Sequence, residues 1–157
     1  GIRGPFVAYR HQSASLEVLP TGDSTTSAEL NHRGWEIFTI APLQTLSKDN
    51  SEHQTIAWSP IGLGNMLNSG GAIAYSESLR ETVDPSTETE TTTARVTVRG
   101  PGRFVAYAQP APSRVSLGGS TDLAFQHDPV TGMLTFDLPQ ENDRTHSGPL
   151  EVIVQWE

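Results

Sequence analysis

Short apolar runs, punctuated by clusters of Gly, Pro, Asn, Asp and Ser, set the pattern of this chain. Phe6-Val7-Ala8-Tyr9-Arg10 predicts a strand that is apolar on both faces as far as Arg10. Ser15-Leu16-Glu17-Val18-Leu19 alternates, which sends Leu16 and Val18 inward and Glu17 outward. Pro20-Thr21-Gly22-Asp23 and Asn31-His32-Arg33-Gly34 have turn chemistry, with a weak strand over Ser27 to Leu30 between them. Trp35 to Pro42 is the strongest strand pattern, apolar on both sides and hence expected to be central, with Pro42 ending its ladder.

Further strands are predicted over Gln44 to Leu46, from Thr55 to Trp58 and from Ala72 to Leu79. Arg95 to Arg99 alternates with Val96 and Val98 inward. Gly100-Pro101-Gly102 then reads as a tight turn into a partner strand, Arg103 to Ala108. Val115 and Leu117, Thr121 to Phe125, Met133 to Leu138 and Leu150 to Trp156 complete the set, with a hairpin loop at His127 to Gly132. Gln109-Pro110-Ala111-Pro112 is a stiff connector. The Thr- and Glu-rich run Asp84 to Thr93 has nothing to bury and reads as an exposed, mobile hairpin loop. These are about ten to twelve short strands with no helical period, which predicts an all-β, antiparallel two-sheet β-sandwich.

One stretch departs from simple alternation. Trp58-Ser59-Pro60-Ile61-Gly62-Leu63-Gly64 and Asn65 to Ile73 are too apolar at Ile61, Leu63, Met66, Leu67 and Ile73 for a surface. They are too rich in glycine for a helix or a plain strand. The pattern predicts an extended segment that crosses the core, breaks, and turns at Asn68-Ser69-Gly70-Gly71. Such a segment joins two sheets or frames a site.

Composition narrows the classes. The 157 residues fit a single domain, 1–157, with a real core. The net charge of −8 disfavours nucleic acid and anionic membrane as partners. Without cysteine there are no disulfides and no thiolate metal sites. No apolar run approaches the roughly 20 residues of a membrane span. The opening Gly1-Ile2-Arg3-Gly4-Pro5 enters a strand almost at once and lacks an initiator Met, which points to an internal cut in a longer protein.

Catalytic chemistry is hard to find. His11, His32, His53, His127 and His146 lack metal-ligand spacing and fall mostly in predicted loops. Ser69 is not in a Gly-x-Ser-x-Gly elbow, and Gly62-x-Gly64 lacks the third glycine of a dinucleotide loop because position 67 is Leu67. Glu17, Glu36, Asp137 and Glu151 alternate with core residues, as carboxylates on solvated strand faces do. Trp35, Trp58, Trp156, Tyr9, Tyr75 and Tyr107 could build a sugar platform, but each lies within an apolar strand pattern that favours core packing. No catalytic, cofactor-binding or metal residue is assigned.

Three patches resemble a known family. They are Trp35-Glu36-Ile37-Phe38-Thr39-Ile40-Ala41-Pro42-Leu43; then Ser59-Pro60-Ile61-Gly62-Leu63 with Met66-Leu67-Asn68-Ser69-Gly70-Gly71-Ala72-Ile73; and Val98-Arg99-Gly100-Pro101-Gly102-Arg103-Phe104-Val105-Ala106-Tyr107. Together they look like the C-terminal domain of the raffinose synthase and seed imbibition protein family, relatives of α-galactosidases. The second patch is the specific one. Tyr9-Arg10-His11 with Leu16 to Pro20 is a degenerate fourth. Pro101 stands where the family often carries cysteine. The resemblance implies a parent enzyme with an upstream (β/α)₈ barrel, where two aspartates carry out retaining galactosyl hydrolysis or transfer. It implies that this chain is a non-catalytic β-sandwich that braces that barrel, and it carries no catalytic residue onto this sequence. The alternatives are an independent carbohydrate-binding module, or a structural or adhesive sandwich with a protein partner.

Overall fold

The computed structural model describes residues 4–47, 55–83, 89–140 and 148–157. Among the described residues fourteen strands are formed: β1 (Phe6–Arg10), β2 (Ser15–Leu19), β3 (Phe38–Pro42), β4 (Gln44–Ser47), β5 (Thr55–Leu63), β6 (Ile73–Ser76), β7 (Arg80–Val83), β8 (Glu90–Val98), β9 (Gly102–Gln109), β10 (Arg114–Leu117), β11 (Thr121–Asp122), β12 (Phe125–His127), β13 (Met133–Leu138) and β14 (Leu150–Trp156). The only helical turn among the described residues is a 3-10 turn over Ser69–Ala72. Two large sheets have the orders β12-β13-β9-β5-β4 and β11-β10-β14-β8-β6, with β7 also paired to β8. Every pairing is antiparallel.

Strict alternation builds the space between these sheets. Phe104, Ala106 and Ala108 of β9 point into it, and so do Leu134, Phe136 and Leu138 of β13. Val96 and Val98 of β8 meet them from the other sheet with Val152, Val154 and Trp156 of β14. The expected two-sheet sandwich is therefore present. A third sheet, β2-β1-β3, lies on the outer face of the five-stranded one. Its Val7 and Tyr9 pack on Ile61 and Val105, the residues of β5 and β9 that face away from the main core.

The sheet-joining segment takes the path its pattern predicts, crossing from one sheet to the other through a turn at Asn68–Gly71. β5 runs through the five-stranded sheet, the 3-10 turn breaks it, and β6 enters the six-stranded sheet beside β8. A bulge between Pro60 and Gly62 shifts the register of β5 against β9. The extra residue changes the strand's phase. Trp58 faces the main core, Ile61 faces the small sheet, and Leu63 faces the main core again. Gly62 has φ +115°, a conformation that costs glycine little and other residues much.

Several expectations are corrected. Trp35 to Pro42 is not a central strand. Only Phe38–Pro42 pairs, as an edge of the small sheet, and Ile40 is 57% exposed. Just ahead of it the Ile37 N–H donates to a side chain, Glu36 Oε1, instead of a ladder, and the Gln12 N–H beyond β1 donates to the same oxygen. Ser27 to Leu30 forms no strand. Val18 sits on the inner face beside Val7, yet at the sheet edge it is partly exposed. Met66 and Leu67 are exposed on the turn rather than buried.

Gly100-Pro101-Gly102 is not a hairpin turn, because β8 and β9 belong to different sheets and it crosses between them. Thr121 to Phe125 is interrupted, with Thr121–Asp122 and Phe125–His127 serving different sheets. Of the Thr- and Glu-rich run, residues 84–88 lie outside the described residues. Glu90 to Thr93, however, is strand, with Thr92 buried between β7 and β14.

Candidate functional site

The small sheet brings together residues far apart in sequence. The His11 N–H donates to Ile37 O, which fixes the end of β1 against the approach to β3. Its Nε2 lies 3.0 Å from Thr39 Oγ1 and 3.3 Å from Ser69 Oγ. Tyr9 meets the His11 ring edge-on at 4.9 Å. The Ser69 hydroxyl donates to Met66 O at 3.1 Å and is wholly buried. A serine without access to solvent, whose proton is already committed to a carbonyl, is a poor nucleophile. The His11 ring has Thr39 and Ser69 as its described side-chain partners and no described carboxylate, so this serine–histidine contact lacks the orienting third group of a triad. The cluster instead ties the small sheet to the sheet-joining turn.

The carboxylates singled out in the sequence are engaged in structural pairs. Glu17 accepts from Arg10 at 2.7 Å and from Thr26 at 2.6 Å, which fastens the connection after β2 to the small sheet. Asp137 pairs with Arg103 across β13 and β9, and Glu151 with Arg95 across β14 and β8. The side-chain hydrogen bond from Arg103 holds the Asp137 carboxyl below its ordinary range. Backbone N–H donors, that of Gln12 first, do the same for Glu36. The hydroxyl of Thr131, followed by the N–H of Val130, does so for Asp128 in the β12–β13 turn. Each of these acids is favoured in its ionised form, the opposite of the raised carboxyl that a general acid needs.

The aromatic residues divide. Trp58 and Trp156 are 0% and 2% exposed and cross edge to face at 5.8 Å between the two large sheets. Trp156 Nε1–H donates to Pro110 O at 3.0 Å, which fixes the Gln109 to Pro112 connector. Tyr9 is buried beneath the small sheet, where loss of solvent, with the nearby Glu36 charge second, raises its hydroxyl pKa. Burial also raises that of Tyr107. Core packing is therefore right for these four. It is wrong for Tyr75, exposed on β6, and for Trp35, which is 50% exposed.

Trp35 follows the Asn31–Gly34 turn, closed by a 2.7 Å bond from Gly34 N to Asn31 O, with Arg33 at φ +67°. It borders an open groove of about 360 Å³ shared with Gln12, Leu30, Asn31 and Glu36. A nearby turn and the adjacent Glu36 were the only sequence signals that Trp35 stands at the end of a run rather than inside one.

Of the histidines, His32 lies in that turn, and His127 Nε2 is 2.8 Å from Ala108 O, bracing β12. His53 and His146 lie outside the described residues. No group of three or more His, Asp and Glu side chains suited to a metal is found among the described residues.

Residues 2–138 match the family described as "Raffinose synthase or seed imbibition protein Sip1". The chain is 35% identical over 146 residues to the probable galactinol–sucrose galactosyltransferase 6 of Arabidopsis thaliana, a match covering 91% of this chain and 17% of that protein. It is 31% identical over 134 residues to the galactinol–sucrose galactosyltransferase of Oryza sativa subsp. japonica, covering 85% and 15%. It is 25% identical over 114 residues to the stachyose synthase of Pisum sativum, covering 73% and 11%. The chain thus spans less than a fifth of the length of these relatives. With nearly all of its strands inside the matched region, this chain belongs to the raffinose synthase and seed imbibition protein family.

Proposed function

We propose that this chain is the non-catalytic C-terminal β-sandwich of a raffinose synthase or α-galactosidase-like enzyme, and that it braces a (β/α)₈ barrel which performs retaining galactosyl hydrolysis or transfer. The observation that carries the reading is the mismatch in coverage. A match over most of this chain accounts for at most 17% of the relatives cited, so most of what makes them galactosyltransferases lies in other residues.

The packing supports a bracing role. The carboxylates described above serve strand-to-strand and turn contacts, and Glu36, Asp128 and Asp137 are held in their ionised form. The sheet-joining turn presents Met66 and Leu67 to solvent, and the small sheet presents Ile40. Exposed apolar side chains of this size suit a covering partner.

Two measurements test the reading. The purified chain should not hydrolyse a chromogenic α-galactoside, and turnover by it would overthrow the proposal. Co-expressed with the remainder of a full-length relative, it should be retained in a complex. Met66→Ser with Leu67→Ser should weaken that retention while the sandwich stays folded. A chain that never associates with the remainder would argue against bracing.

A further inference from the structure

We infer that the groove at Trp35 is a saccharide-binding site, taking a pyranoside that lays an apolar C–H face on the indole. This goes beyond the bracing role and does not depend on it. Three observations converge.

The first is the contrast among tryptophans. Trp58 and Trp156 are sealed in the core, whereas Trp35 leaves half its surface in solvent beside Leu30. An indole face carries a negative quadrupole that attracts polarised C–H groups, and a large rigid ring gives contact area at little entropic cost.

The second is the polar surround. Gln12 and Asn31 line the groove with amide groups that are bonded to no described residue, offering both donors and acceptors. Vicinal hydroxyls, each donor and acceptor at once, suit such a pair. The third is Glu36. Its Oε1 is fixed by the N–H groups of Gln12 at 2.8 Å and Ile37 at 3.0 Å. Oε1 is thereby committed to the backbone, and the carboxylate's other oxygen, Oε2, is the pre-positioned anionic acceptor for a sugar hydroxyl. A concave site with one aromatic wall and a few placed polar groups is how small polar ligands are held. A negative rim of Glu29 and Glu36 suits a neutral sugar better than an anionic ligand.

Trp35 also supplies its own readout, since the other two tryptophans are shielded. Titrating the whole chain with galactose, sucrose and raffinose should give a saturable change in tryptophan emission for at least one sugar. Half-saturation is expected on the order of 1 mM, as suits a shallow site. The same sugar should protect the emission from iodide quenching. Trp35→Ala should abolish the response, and Gln12→Ala with Asn31→Ala, both exposed positions, should weaken binding at least tenfold with an unchanged melting temperature. Calorimetric titration provides a readout that does not rely on the indole. A flat titration of the folded chain with all three sugars overturns the inference. So does binding that survives Trp35→Ala. Neither result bears on the α-galactoside assay, so failure here and failure of the bracing role remain distinguishable.

Discussion

A β-carbon on Gly62 would lie 2.0 Å from the carbonyl oxygen of Ser69. The backbone of the 3-10 turn is therefore seated in the space that a side chain at Gly62 would fill. This contact holds the sheet-joining segment at the point where it leaves one sheet for the other.

Gly62→Ala meets both a positive φ and a backbone atom that cannot swing aside. The expected loss is on the order of 3 kcal/mol, from backbone strain plus displacement of the turn. Gly148→Ala, where nothing lies within 4 Å of the added carbon, should change stability little. Urea unfolding of the two variants checks the contrast. Equal midpoints would show that the turn yields freely.

Trp58 and Trp156 look equivalent by burial but not by hydrogen bonding. Trp156 Nε1 has Pro110 O as its partner, while Trp58 Nε1 is buried with none. Trp156→Phe strands the Pro110 carbonyl, whereas Trp58→Phe removes an orphaned donor. Trp156→Phe should therefore cost about 1–2 kcal/mol more. A double-mutant cycle on the pair should return a coupling of about 0.5–1.5 kcal/mol for the edge-to-face contact. Equal costs for the two single variants would refute the asymmetry.

Glu36, Asp128 and Asp137 all have folded carboxyl values below their ordinary ones, through donors from Gln12 N–H, Thr131 hydroxyl and Arg103 respectively. In the unfolded chain these groups take up protons first. Their contribution is complete above the ordinary carboxylate range and is lost as pH falls through the lower folded values. The melting temperature should accordingly fall on acidification below that range. Glu36→Gln should make the fall shallower. A steeper acid fall in that variant would contradict the assignment.

Arg10 joins Glu17 and Thr26 in one cluster, while its guanidinium also lies 5.7 Å from the Phe38 ring. Both members of the ion pair are partly exposed, so Arg10→Ala should cost about 1 kcal/mol or less. Its larger effect should be local. The connection between residues 20 and 37 should become a preferred site of limited proteolysis while the sandwich resists. Unchanged cleavage would show that the cluster does not fasten it.

Legibility followed distance. Val96 and Val98, or the return from His127 to Met133, could be read because alternation and turn chemistry are local. Gly62 and the turn at Asn68–Gly71 could be read because no other structure tolerates glycine and bulky apolar residues so mixed. The Gly100-Pro101-Gly102 turn misled because a turn's residues do not say whether the next strand joins the same sheet. Trp35, Ile40, Met66 and Leu67 misled because apolar character predicts burial only where something covers the residue, and no local pattern supplies the cover. The His11–Ser69 contact, 58 positions apart, left no sequence signal.

The position of β14 between β8 and β10 has a consequence for biosynthesis. Until Trp156 clears the ribosome, Glu90–Val98 and Arg114–Leu117 each carry a row of unmatched amides and carbonyls with valines beside them. A nascent chain halted before Leu150 would thus offer two sticky borders to any neighbour. Chaperone demand should peak between synthesis of Leu117 and of Trp156 and fall once the gap is filled.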